Sequence, residues 1–116
     1  MAPRPIFSDH FFVIQGLNGV SGPHTVPAGE VHVVKQLTAY ASPLIGNVHV
    51  FFHHADYNAA LWSVSFTLGQ SGNFNFYGAL VFRAGETMNF QVNTSDPTDG
   101  ADVYAGGYIL LGPGAS

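Results

Sequence analysis

Nowhere in the 116 residues do apolar side chains recur at helical spacing. What recurs instead is short runs of Phe, Val and Tyr, cut off by clusters of Gly, Pro, Asn and Asp. An amphipathic helix needs a stripe at every third or fourth position, whereas short runs between turn residues are the pattern of an all-β sandwich or barrel. The pattern predicts eight strands, at 6–15, 23–26, 31–40, 47–54, 60–68, 74–82, 86–93 and 102–111, packed as an antiparallel β-sandwich. A chain of this length holds one core, so 1–116 is expected to be a single domain. Its Pro- and Gly-rich ends, 1–5 and 112–116, are expected to be extended tails.

Two segments alternate cleanly. Trp62, Val64, Phe66 and Leu68 share one face of their strand, with Ser63, Ser65 and Thr67 on the other. Met88, Phe90 and Val92 oppose Thr87, Asn89, Gln91 and Asn93 in the same way. Each such strand shows one face to a core and one to water, because successive side chains on a strand point to opposite sides. Two other segments read as apolar on both faces. Phe74, Phe76, Leu80 and Phe82 lie opposite Tyr77, Ala79 and Val81, and Val48, Val50, Phe51 and Phe52 follow one another with little polar relief. A small sandwich has one core to fill, so a second apolar face is covered either by the chain's own loops or by another subunit. Val48, Val50, Phe51, Phe52, Phe74, Phe76, Tyr77 and Val81 are therefore the candidates for a subunit interface.

Charge strengthens that expectation. Charged residues make up 9% of the chain, against about 25% in an ordinary domain, so neutral polar groups or a partner must cover the surface. A net charge of −4 and three basic residues, Arg4, Lys35 and Arg83, exclude binding to nucleic-acid backbones, which needs clustered cations. The apolar runs are too short to span a membrane. No signal-type apolar segment opens the sequence and there is no cysteine, which points to synthesis in a cytoplasm and to stability without disulfides.

Pro27-Ala28-Gly29-Glu30 and Arg83-Ala84-Gly85-Glu86 place the same Ala-Gly-Glu between two strands. Both are expected to be tight hairpins with glycine at positive φ. Six histidines, at positions 10, 24, 32, 49, 53 and 54, raise the question of a metal. His49 and His53 stand about 13 Å apart on an extended strand, so a cupin-like site needs His32 and a carboxylate to converge on one of them. The closely spaced His-x-His pair of cupins is absent. No nucleophile elbow or phosphate-binding glycine motif is present either. No catalytic residue, metal or cofactor is expected. A third reading is a carbohydrate- or receptor-binding head, whose ligand would meet the loop residues Tyr57, Asn58, Asp96, Asp99 and Tyr104.

Two local patterns resemble known families. His24-Thr25-Val26-Pro27-Ala28-Gly29-Glu30, followed by an apolar strand, resembles the opening of small virion structural proteins of tailed bacteriophages, of minor tail or head-decoration type. The run from Leu80 to Val92, followed by Tyr104-Ala105-Gly106-Gly107-Tyr108-Ile109-Leu110-Leu111, is similar to the last strands of complement C1q-like and tumour necrosis factor-like heads, with Glu86 where that family usually has Asp. Both resemblances imply a jelly-roll arrangement of the eight strands and a homo-oligomer, with a trimer favoured. The phage resemblance adds a virion location and other virion proteins as partners, while the binding-head reading adds host-surface glycan as a further partner.

Overall fold

The alternating segments and their turns assemble, in a computed structural model, into two antiparallel sheets packed face to face. The structure describes residues 6–41, 45–57, 59–67 and 72–111, with the side chains of residues 6–8 and 57 left out. The expected tails at 1–5 and 112–116, and Leu68, lie outside that set.

The described strands are β1 (Ile6–Leu17), β2 (Gly19–Val20), β3 (His24–Thr25), β4 (Glu30–Ala41), β5 (Val48–His54), β6 (Ala59–Phe66), β7 (Gly72–Arg83), β8 (Thr87–Thr94) and β9 (Ala101–Leu111). One sheet has the order β1-β9-β4-β7, and the other β2-β8-β5-β6 with β3 also on β8. β2 and β3 are two short pieces of one edge, interrupted at Gly22-Pro23, where proline offers no N–H to a ladder. Counting that edge once gives the eight strand positions the sequence predicts. With the β2–β3 edge counted as one strand, β5–β6 is the one connection among the described strands that stays within a sheet; the others cross between sheets. This is the alternation of a jelly roll. Among the described residues no helix is long and apolar enough to cross a membrane.

Sequence and structure part company at the two Ala-Gly-Glu turns. Gly29 and Gly85 do take positive φ, 81° and 86°, but neither turn closes a hairpin. Each carries the chain from one sheet to the other, from β3 to β4 and from β7 to β8. The two turns lie side by side and bond to each other: Val26 N–H donates to Glu86 O at 2.9 Å, and Gly85 N–H donates to Val26 O at 2.9 Å. A local motif specifies the reversal of the chain, while strand pairing is decided by where the apolar faces find their partners.

The core is a chain of phenylalanines crossing between the sheets. Phe12 of β1 meets Phe90 edge-on at 5.5 Å between centroids, Phe90 meets Phe52 at 5.0 Å, and Phe52 meets Phe82 at 6.0 Å. Edge-to-face pairs add about 0.5–1.5 kcal/mol each beyond the area they bury. Phe11 and Phe12, although adjacent, are both buried, because a register shift between His10 and Phe12 turns both inward. Beside that bulge, at Gly106 and Gly107 of β9, β4 carries a second shift between Val34 and Gln36. The glycine pair thus lies between two bulged neighbours, a place where backbones approach closely.

Candidate functional site

Four regions bear on function: the two outer faces of the sandwich and its two ends.

The outer faces differ in chemistry. On the β1-β9-β4-β7 sheet, register places Val13, Tyr104, Thr38 and Asn75 in one row. Tyr108, Val33 and Val81 form another, and Leu110, Val31 and Arg83 a third. Val13 is 68% exposed, Tyr77 71% and Val81 48%. Tyr40 is exposed too, and Lys35 and Arg83 are the basic residues described on this sheet. On the other sheet the outward set is Thr25, Thr87, Asn89, Gln91, Asn93, His49, His53, Ser63 and Ser65, joined by Phe51, with Val20 and Leu61 at its margins. Some of its side chains pair with one another: His49 Nδ1 lies 2.8 Å from Ser65 Oγ, and Phe51 stacks on His53 at 5.8 Å. One face is wetted; the other carries tyrosine and valine.

This division corrects the interface set. Val48, Val50 and Phe52 are fully buried in the chain's own core, so no partner subunit reaches them. β5 is an inner strand whose alternation sends these three inward and His49, Phe51 and His53 outward. Phe76 also points inward and packs on the core, and Phe74 leans on Phe66 at 5.2 Å. Tyr77 and Val81 stay on the outer face of the tyrosine-bearing sheet, where Val13, Tyr40, Tyr104 and Tyr108 join them.

The expected ligand loops do not meet. Asp96 and Asp99 lie at one end of the sandwich and Tyr57 at the other, while Tyr104 sits in the middle of β9 with its hydroxyl 2.9 Å from His10 Nδ1. Asn58 lies outside the described residues. A cleft of 330 Å³ opens beside Asn18, Tyr40, Asp99 and Asp102, but its polar groups hold the loops together. Asp99 accepts from Ile45 N–H at 3.1 Å and Gly46 N–H at 2.7 Å. Asn18 Nδ2 donates to Pro97 O and Asp99 O at 3.2 and 3.1 Å, and Gly16 N–H donates to Asp102 Oδ1 at 2.8 Å. Asp99→Ala strands two backbone donors and should cost about 1–2 kcal/mol, read as a lower melting temperature with the fold retained. Next to this seam, Asp96 is held below the usual carboxylate range by the hydroxyl and backbone N–H of Thr98.

The opposite end is a layer of histidines that the sequence reading did not assemble. His24 and His54 flank Met88 in register on one sheet, and His32 lies between Phe82 and Ile109 on the other. His24 Nε2 stands 2.8 Å from His32 Nδ1, and His32 Nε2 stands 2.7 Å from Glu30 Oε1. Phe11 stacks flat on the His32 ring at 5.0 Å. His54 stacks on Phe82 at 5.0 Å, its Nε2 donating to Glu86 Oε2 at 3.1 Å. The two glutamates are those of the twin Ala-Gly-Glu turns, so each turn delivers one carboxylate to one histidine. Glu86 also accepts from Arg83 N–H at 2.6 Å; that bond first, and His54 after it, holds its carboxyl below the usual range. Burial first, then the neighbouring His32, lowers the pKa of His24 from 6.5, against the opposing pull of Asp9 and Glu30.

The cupin-like convergence does not form. His32 faces inward from one sheet, while His49 and His53 face outward from the other. Among the described residues no group of three His, Cys, Asp or Glu is placed to hold a metal ion.

No family model and no curated protein matches this chain. Among solved structures it is similar to the cryo-EM structure of the giant freshwater prawn Macrobrachium rosenbergii extra small virus (XSV) VLP, with a TM-score of 0.48 and 13% identity, covering 95% of this chain and 80% of that one.

Proposed function

We propose that this chain is a non-enzymatic structural subunit of a virion, which assembles with copies of itself through the outer face of the β1-β9-β4-β7 sheet. The observation that carries the reading is the contrast between the two outer faces. Neutral polar side chains predominate on one of them, with Phe51, Val20 and Leu61 among them. The other exposes Val13, Tyr40, Tyr77 and Val81, a mixture of aromatic and aliphatic groups as at the centre of an interface, with the basic Lys35 and Arg83 on the same sheet. Tyrosine suits such a surface because it buries a ring and keeps its hydroxyl wet. A trimer closed around this face is the expected assembly, since a closed ring of identical contacts leaves no apolar patch for further growth. The virion assignment follows the sequence resemblance at residues 24–30. On this reading the subunit is made in the host cytoplasm and docks on the capsid or tail.

Light scattering on a size-exclusion column tests the reading. The expected result is a closed assembly of about three times the 12.3 kDa of the chain. A clean monomer at the highest concentration attainable overturns it.

A further inference from the structure

We propose that the Glu30–His32–His24 chain is an acid-operated latch, which holds the β2–β3 edge onto the sandwich near neutral pH and releases it when both imidazoles are cations. These side chains meet within one chain whether or not copies associate, so either conclusion can fail without the other.

The contact between His24 Nε2 and His32 Nδ1 at 2.8 Å needs one N–H and one lone pair. With both rings neutral, His32 Nε2–H donates to Glu30 and His32 Nδ1 accepts from His24. One added proton is tolerated, because the cation it makes lies against Glu30, with Asp9 of β1 near His24. A second proton puts N–H groups on both facing nitrogens, and the hydrogen bond becomes a repulsion between two cations. His32 is buried and Phe11 covers its ring, so little water reaches the pair to screen that repulsion. The remaining ionisable groups of this end serve another histidine. Glu86 and Asp56 lie 3.1 and 3.7 Å from the nitrogens of His54, and Arg83 turns outward. None of them takes up the second charge.

The edge that would open is short, and beyond its end Val26 is buried and bonded to Glu86 and Gly85 of the other turn. Two residue pairs, His24–Met88 and Thr25–Thr87, form β3, and two more, Gly19–Val92 and Val20–Gln91, form β2. Between them Ser21 bonds to Phe90 through both its N–H and its hydroxyl, each at 2.9 Å. A short edge with a proline in it is the least stable part of a sheet and opens first. Through His24 the linkage has one sign. A histidine whose folded pKa lies below 6.5 binds its proton more readily in the opened state. Stability of the closed edge is therefore full above pH 6.5 and falls as pH drops from there to the folded pKa.

Hydrogen exchange by NMR tests this in the whole chain. After correction for intrinsic rates, protection of the backbone amides of residues 19–26 should fall about tenfold or more between about pH 7.5 and about pH 5, while that of β5 holds. His24→Gln keeps a neutral donor facing His32 and should remove this pH dependence. His54→Gln, which alters the other carboxylate–histidine pair, should leave it in place. The proposal is overturned if His24→Gln loses protection with acid as the wild type does. It is equally overturned if β5 and β3 lose protection together, or if His54→Gln is the variant that abolishes the response.

Discussion

Gly107→Ala should destabilise the fold by about 3 kcal/mol, whereas Gly106→Ala, one residue earlier on the same strand, should cost about 1 kcal/mol or less. A Cβ at Gly107 runs into the carbonyl oxygen of Val33 and the backbone nitrogen of Lys35. These atoms flank the β4 bulge, and the bulge cannot move aside without breaking its pairing with both β9 and β7. A Cβ at Gly106 meets instead the ring and hydroxyl of Tyr104, the far end of a side chain that can swing toward solvent. Its loss there is the exposed bond to His10, partly offset by the reduced freedom that alanine gives the unfolded chain. Urea denaturation of the two variants separates the cases, and a fall of about 15 °C in melting temperature is expected for Gly107→Ala. Equal stabilities for the two would show that the bulges are misplaced.

The second large effect is on assembly. Val81→Asp should dissociate the oligomer, weakening association by about a hundredfold or more, because a carboxylate would have to lose its water against an apolar surface. Val81 lies in register with Val33 and Val33 with Tyr108, so the new charge falls inside the proposed contact. His53→Asp puts the same charge on the wetted face and should leave the mass unchanged. Circular dichroism of both should match the wild type, since both positions face outward. A Val81→Asp protein that stays assembled places the interface elsewhere.

The residues that made the fold legible are those whose polar partners are unambiguous. In β8, Met88, Phe90 and Val92 are buried as their alternation with Thr87, Asn89 and Gln91 predicts, and β7 does carry apolar groups on both faces. β5 misled for a specific reason. Its outward residues are two histidines and a phenylalanine, so Phe51-Phe52 looked like a second apolar face where the structure has one core face and one mixed face. The histidine layer was hidden for a different reason. His24 and His32 are eight residues apart and belong to different sheets, and no periodicity within a strand reports a contact made across a sandwich. A signal existed in the repeated Ala-Gly-Glu, with Glu30 two residues from His32. Read as a pair of hairpins, it concealed that both turns go to the same end of the molecule.

The position of β9 also bears on when the subunit can begin to assemble. β9 is the last described strand in chain order, yet it lies inside its sheet between β1 and β4, and Ile6 finds its partner in Leu110. During synthesis, β8, β5 and β6 can pair while β9 is still on the ribosome, but β1 has nothing to pair with. The β1 part of the surface proposed to join copies therefore meets its β4–β7 part only when the last strand slots into place, at the slow, long-range step of folding. On the proposed reading, a chain without β9 presents only the β4–β7 part of that surface, so finished subunits meet one another through more of it than partial ones do.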